Sequence, residues 1–391
     1  MTHVGNVRDH NEDAHLVDAD QGFFIVCDGM GGHAAGEVAS ALGVRITREQ
    51  WMAPATQRAV AQWAREASLD ARRTLLSAVK AGVLTAHRAI CEQASEDLAK
   101  KGMGTTFTGL VVAGGDAIIA HAGDSRAYLV RGGIAMQLTE DHTLLARLLA
   151  AGLPHTEGEE SHRWKGVITN ALGFGDDTKV VTFLVPLSDG DRLLLCSDGV
   201  SEYVSEAEVG QVLMGQPSPA RAAQRLVDLA LERGGEDNAT ALVIKVIEAG
   251  ESQVPAAQRQ RDDSILGLCP LLEELSPQQR LRALRIATSR DFVAGDLVPE
   301  AAMESRVAWI LMDGQVIVGG QTEDAGTILY PEALLGHGSP RRADALAVAV
   351  GEVRALAIRG DDFLELAGED PDLAEPMYAA LARMIGERGG A

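Results

Sequence analysis

The 391-residue chain carries 35 Lys and Arg against 56 Asp and Glu, a net charge of −21, with 46% apolar and 23% charged residues. The length predicts two or three domains, and the composition is that of a folded chain, which excludes wholesale disorder. An isoelectric point near 4.9 excludes electrostatic binding to nucleic-acid backbone or anionic lipid, since both need a basic face. Some of that acidity is therefore either plain solubilising surface or carboxylates gathered to hold cations.

The opening stretch, Met1 to Asp13, is polar and acidic and does not read as a signal peptide. No apolar run approaches the roughly 20 residues of a membrane helix. Cys27, Cys91, Cys196 and Cys269 have no CxxC spacing, so neither a disulfide framework nor a zinc site is expected. The expected location is a reducing cytoplasm, without a membrane or nucleic-acid partner.

Up to about Ala249, short β-type runs alternate with Ala-rich helical patterns. Strands are predicted at Phe23–Cys27, Thr106–Ala113, Ala117–Gly123, Ala127–Arg131, Arg192–Cys196 and Thr240–Ile247; the last two are near-continuous apolar runs, the mark of a sheet covered on both faces. Helices are predicted at Gly36–Thr47, in one long stretch across Gln57–Leu98, at Thr143–Ala151 and at Pro219–Arg233. Residues 249–264 lack hydrophobic periodicity and read as a linker. Beyond it, Ser276 and Pro277 form a helix start as N-cap and first helical residue. Short glycine-punctuated strands follow, then a closing helix from about Asp372 to Arg388, which suggests a small β-roll bracketed by helices.

Five acidic positions in the first part are flanked by small residues: Asn11-Glu12-Asp13-Ala14, Cys27-Asp28-Gly29, Gly123-Asp124-Ser125, Ser197-Asp198-Gly199 and Glu236-Asp237-Asn238. A single Asp-Gly is ordinarily a hairpin turn. Five in one segment, with no matching hairpin strand after them, predict instead strand ends that converge on a hard cation, Mg²⁺ or Mn²⁺ rather than zinc.

These motifs, with Val7-Arg8-Asp9-His10, Asp28-Gly29-Met30-Gly31-Gly32-His33, Gly102-Met103-Gly104-Thr105-Thr106, Leu138-Thr139-Glu140-Asp141-His142 and Ile168-Thr169-Asn170-Ala171-Leu172-Gly173, occur in the order found in the metal-dependent PP2C family. Residues 1–248 resemble that family in its bacterial branch. The resemblance implies an α+β fold, a four-layer α-β-β-α sandwich of two antiparallel sheets flanked by helices. It implies a protein serine/threonine phosphatase in which water bridging two Mn²⁺ or Mg²⁺ ions hydrolyses phosphoserine or phosphothreonine. Asp28 would bridge the ions, helped by the Gly29 carbonyl. Asp198 and Asp237 would complete one shell, and Glu12 and Asp13 would serve the other. Asp124 and Asp198, with Glu202 where the family usually has Asp, would make a third, weaker site. Arg8 would clamp the phosphate, its fork suiting that task better than Lys. Met30 stands where the eukaryotic branch has a candidate acid, and His33 is the nearest alternative, read mainly as packing or as support behind the ligands. His142 is read as a supporting hydrogen-bonding residue, and Cys27 and Cys196 as buried apolar residues. His155–Lys165 falls where the family has its flap. Phosphoproteins, and a cognate serine/threonine kinase that makes them, are the implied partners.

Residues 265–391 resemble a cyclic-nucleotide-binding domain. Trp309–Val316 matches its strand-turn-strand hairpin, and Tyr330–Ala343 its phosphate cassette, with Glu332 at the ribose position and Arg341, followed by Arg342, at the phosphate. Pro331 replaces a Gly and Asp344 a Thr or Ser, and the chain from Glu251 onward holds 23 acidic against 13 basic residues. Two readings stay open: a cyclic-nucleotide pocket, or a degenerate domain that regulates, dimerises or docks. For the whole chain, the alternative to the enzyme is a phosphatase-fold scaffold acting as a non-catalytic nucleotide-responsive or docking module.

Overall fold

The computed structural model describes residues 1–391 apart from 32–34, 67, 98–99, 151–163, 165, 176, 250–260, 263, 299–305, 336–345 and 390–391. The chain divides into two compact units, Met1–Ser252 and Gln253–Ala391. His33, all of the expected flap except Trp164, most of the expected linker, and Arg341, Arg342 and Asp344 lie outside the described residues.

In the first unit, the strands are β1 (Thr2–His3), β2 (Asp13–Asp18), β3 (Phe23–Met30), β4 (Gly104–Thr105), β5 (Phe107–Ala113), β6 (Asp116–Ala122), β7 (Arg126–Arg131), β8 (Ile134–Gln137), β9 (Val181–Pro186), β10 (Arg192–Cys196) and β11 (Ala239–Lys245). They form two antiparallel sheets, ordered β2-β3-β5-β6-β9 with β4 added to β3, and β1-β11-β10-β7-β8. The helices are α1 (Ala35–Trp51), α2 (Pro54–Arg65), α3 (Leu69–Glu96), α4 (Leu144–Ala150), α5 (Asp198–Ser201), α6 (Glu206–Gly215) and α7 (Pro219–Glu232).

Alternation along the strands builds the layers. Phe23, Ile25 and Cys27 of β3 join a core with α1, α2 and α3, centred on Trp51 and Ile90. Leu194 and Cys196 of β10 join a second core with α5, α6 and α7. The intervening residues Phe24, Val26, Leu193 and Leu195 are buried as well, and period-2 geometry turns them toward the opposite sheet. Burial on both faces is why these strands read as unbroken apolar runs. The order is helix, sheet, sheet, helix.

The single helix expected over Gln57–Leu98 is two. Glu66 takes an extended conformation that ends α2, and the Ser68 hydroxyl accepts from the Ala71 N–H to start α3 afresh. A serine with Asp70 two residues on is an N-terminus signal, and the uninterrupted Ala-rich pattern masked it.

The second unit holds β12 (Ala287–Phe292), β13 (Leu297–Val298), β14 (Val307–Asp313), β15 (Val316–Val318), β16 (Gln321–Glu323), β17 (Ile328–Leu329), β18 (Ala347–Ala349) and β19 (Val353–Arg359). They make two four-stranded antiparallel sheets, β12-β19-β14-β17 and β13-β18-β15-β16. Helix α8 (Pro277–Ala283) starts with a reciprocal Ser276–Gln279 capping box. Helices α9 (Gly360–Glu369) and α10 (Pro371–Gly389) close the unit. Trp309–Val316, read as a hairpin, does not pair with itself. The turn at Gly314 carries the chain from β14 in one sheet to β15 in the other, and β14 pairs with β17 and β19. A side chain at Gly314 would meet the Glu352 carbonyl oxygen at 2.2 Å, so the crossing requires glycine.

Candidate metal centre

The register of β2 on β3 sets Asp13 directly opposite Asp28. The main chain of Asp28 is fixed from both sides: its N–H donates to Thr106 Oγ1 at 2.9 Å, and its carbonyl accepts from the Thr106 N–H and from Thr105 Oγ1, each at 2.9 Å. Thr105 and Thr106 thereby aim the carboxylate. Gly29 must be glycine because a Cβ there would lie 2.2 Å from the Gly36 carbonyl oxygen and 2.6 Å from that of Glu12.

Asp198 enters from the second sheet, on the first residue of α5 just past the end of β10. Its carboxyl contacts that of Asp28. Next to it, Ser197 Oγ donates to Asp13 Oδ2 at 2.9 Å, and Thr240 Oγ1 donates to the same oxygen at 2.6 Å. Two hydroxyls, one on β11 and one just past the end of β10, thus hold a carboxylate that comes from the other sheet. Asn238 ties down the N-terminal segment: its side-chain oxygen accepts from the Glu12 N–H at 2.7 Å, and its amide donates to the carbonyls of Val4 and His10. Gly199 packs so closely on this corner that a Cβ would come within 2.1 Å of the Asn238 carbonyl oxygen.

Asp124 sits in the turn that takes the chain from β6 in one sheet to β7 in the other, and it is buried. Gly123, at φ 118°, turns the chain there. His142 grips that turn: its Nδ1 accepts from the Gly123 N–H at 3.0 Å, and its main-chain N–H donates to the Gly123 carbonyl at 2.8 Å. Asn170 donates to the same Nδ1 at 2.8 Å, so His142 joins the Asp124 turn to the Ile168–Asn170 segment. Arg126 makes a bidentate pair with Asp141, at 2.8 and 2.6 Å, which fixes the loop carrying His142.

Burial dominates the electrostatics. It lifts the Asp28 carboxyl well above the usual range, and the charges of Asp13, Asp198 and Asp124 add to the lift. Burial raises Asp13 to about 7 against the opposing bonds from Thr240 and Ser197. It raises Asp124 to about 8, helped by Asp198 and Asp141, and Asp198 to about 6, where the Asp28 contact opposes it. Burial likewise pushes the Cys27 thiol far up and that of Cys196 to about 12, so neither supplies a thiolate nucleophile.

One oxygen of each of Asp13, Asp124 and Asp198 is buried and accepts no hydrogen bond. Orphaned carboxylate oxygens in a like-charged cluster are what divalent cations satisfy. The donors are all oxygen, which fits Mg²⁺ or Mn²⁺ and not zinc. Among the described residues, however, no three His, Cys, Asp or Glu side chains close around one point. The carboxylates form a chain of neighbours rather than a finished cage. At its open end Arg8, half exposed, pairs with Asp237 at 2.7 Å, while the other Asp237 oxygen accepts from the Asn238 N–H. Glu202 ends α5, one helical turn beyond Asp198, and its charge acts on that residue. Glu332 lies in the second unit, half-buried in a short turn of helix, Pro331–Leu335.

Reading residues for acidity alone misses the supports Ser197, Asn238, Thr240, Arg126 and Asn170. Ser197, Asn238 and Asn170 stand inside motifs already singled out, and Arg126 and Thr240 one and two residues beyond one.

A family model described as protein phosphatase 2C matches residues 5–230. The serine/threonine phosphatase stp of Listeria monocytogenes is 36% identical over 247 residues, which is 62% of this chain and 93% of that protein. Two solved structures are similar. The serine/threonine phosphatase PstP of Mycobacterium tuberculosis has a TM-score of 0.54 at 33% identity over 63% of this chain and 97% of its own. The PstP catalytic domain in complex with two manganese ions has a TM-score of 0.53 at 34% identity, covering 63% and 96%.

Proposed function

The chain belongs to the protein phosphatase 2C family and is a protein serine/threonine phosphatase, and on that premise we propose how its own residues do the work. The observation that carries the reading is the set of buried, orphaned carboxylate oxygens on Asp13, Asp124 and Asp198 around Asp28.

Asp28 would be shared by two Mn²⁺ or Mg²⁺ ions, with Asp198 and Asp237 serving one, Glu12 and Asp13 the other, and the Gly29 carbonyl helping one of them. Asp124, Asp198 and Glu202 offer a third, weaker position. Divalent cations, when bound, neutralise these carboxylates and lower the pKa of water towards 7. Arg8 leaves Asp237 and takes two phosphoryl oxygens in its fork, which frees Asp237 for a cation and places positive charge where the transition state gathers negative charge. Ser197 and Thr240 keep Asp13 from swinging away, and Thr105 and Thr106 do the same for Asp28. Arg8 orients the phosphoester for in-line displacement, so no nucleophilic side chain is needed. The substrates are phosphoproteins made by a serine/threonine kinase, and the setting is the cytoplasm.

For the second unit we propose a regulatory, cyclic-nucleotide-binding-like domain around Glu332. Its test is calorimetry with cAMP and cGMP on the full chain.

The test of the enzymatic reading is hydrolysis of a phosphothreonine peptide that rises with Mn²⁺ and stops with EDTA. Undiminished turnover in Asp28→Ala or Asp198→Ala would sink it and leave the non-catalytic scaffold.

A further inference from the structure

The sheet β13-β18-β15-β16 of the second unit has one ordinary face and one that is not. Val298, Val316, Ala347 and Ala349 are buried in the core beside Trp309 and Leu311. Their alternates should be polar if the opposite face met only water. They are not. The pairing sets Leu297 opposite Val348 and Val348 opposite Ile317, one row across three strands. Directly opposed residues share a face, and Leu346 and Val350 flank β18 immediately on either side. All five are exposed: Leu297 by 53%, Val350 by 50% and Ile317 by 43%, with Leu346 and Val348 somewhat less. Isolated exposed aliphatics are commonplace; a contiguous row across a sheet marks a contact surface.

Among its described residues, the border of this face has one sign. Residues 293–298, 313–327 and 346–352, which supply these strands and their turns, contain Asp296, Asp313, Asp324, Glu323 and Glu352 and not one Lys or Arg. All but Glu323 are exposed. A second copy of the chain would bring the same five carboxylates against these five, within a Debye length of about 10 Å. An anionic bilayer would be repelled in the same way. An extended protein segment with aliphatic anchors and flanking Lys or Arg satisfies both the row and its border.

We infer that the outer face of the β13-β18-β15-β16 sheet is a docking surface for a basic, aliphatic segment of a partner protein, seated on Leu297, Ile317 and Val348. Docking there is separate from phosphate hydrolysis and adds a second point of attachment for any phosphoprotein that carries such a segment, raising its effective concentration at the active site.

The experiment uses the full chain and a fluorescein-labelled twelve-residue peptide of alternating Lys and Leu, with an alternating Glu and Leu peptide as control. Saturable anisotropy change is expected with the Lys peptide only, weakening at least ~10-fold in Ile317→Asp and in Val348→Asp. Melting temperature and turnover of p-nitrophenyl phosphate should stay at wild-type values in both variants, since both residues belong to the second unit and the metal-binding carboxylates to the first. The milder Ile317→Thr, which suits a strand, should weaken binding by a smaller factor and covers the case in which an Asp variant unfolds. Equal binding by Ile317→Thr and wild type would assign the peptide to net charge alone and overturn the inference. So would equal binding of the Glu peptide. A wild-type dimer in sedimentation that Val348→Asp dissolves would also overturn it, by giving the face to a second copy.

Discussion

At the residue scale, Asp28 and Arg8 separate what the cluster costs from what it does. Asp28 is buried and carries like charges on three sides, so its ionised form is held in the fold against its own preference. Asp28→Asn keeps the shape and removes the conflict. Without metal, at pH 8, this variant should melt higher than wild type by differential scanning calorimetry. Its Mn²⁺-dependent turnover should fall by on the order of 100-fold or more, since even groups behind the ligands cost 10–100-fold. A variant that melts lower and turns over normally would mean that Asp28 is an ordinary structural carboxylate. Arg8 makes the complementary case. Its pair with Asp237 is half exposed, so it adds little to stability. Arg8→Ala should leave the melting temperature within experimental error and lower kcat/KM by ~10-fold or more, the scale of a lost charge-assisted hydrogen bond. Mn²⁺ affinity should hold or rise, because Asp237 loses a competing cation. A parallel fall in Mn²⁺ affinity would instead make Arg8 a support for the metal ligands.

At the element scale, the centre is assembled where two sheets meet, and glycine permits the meeting. Gly199, second in α5, packs against the strand entry at Asn238 with no room for a methyl group, and both partners there are main chain. Gly199→Ala should therefore push α5 away from β11, at a cost of about 1–3 kcal/mol. In a unit of this size that is a drop of several degrees in melting temperature. Turnover should fall with it, since Asp198 and Ser197 move together. Unaltered melting would show that the corner has slack. Such contacts are also what a linear reading cannot supply. The carboxylates were legible because Asp beside Gly is a local pattern, and β10 was legible because five consecutive buried residues leave no other reading. Ser197 and Thr240 were not, because their partner Asp13 lies 184 and 227 positions away. Strand β2 was missed for a related reason: DAHLVD is half exposed, and its alternation is weak beside the continuous run of β3. The supposed hairpin at Trp309–Val316 failed because a glycine turn looks the same whether the next strand returns to its neighbour or crosses to another sheet.

At the scale of the whole molecule, net charge and metal dependence become one question of proton linkage. The unfolded chain titrates its aspartates near 3.9, whereas folding holds Asp198 at about 6, Asp13 at about 7 and Asp124 at about 8. Between pH 4 and 8 the folded state therefore binds more protons than the unfolded state. Stability then falls as pH rises, by about 1.4 kcal/mol per pH unit for each proton held in excess. The sign is opposite to that of a salt-bridged carboxylate, whose contribution grows with pH. Without metal, the unit that carries the carboxylates should melt highest near pH 5 and lose stability steadily to pH 8. Mn²⁺ should reverse the trend. Cations replace protons on the same oxygens, so affinity rises with pH and binding expels protons. At a free concentration 100 times the dissociation constant, each site adds about 2.7 kcal/mol. The check is a pair of melting series from pH 5 to 8, with EDTA and with Mn²⁺, alongside calorimetric Mn²⁺ titration at pH 6.5 in two buffers of different ionisation enthalpy. Converging curves at low pH, diverging curves at high pH and a buffer-dependent heat that reports proton release are expected. Parallel melting curves with no proton release would mean that the carboxylates are already ionised and paired in the metal-free fold, and that the acidity of this half is surface charge after all.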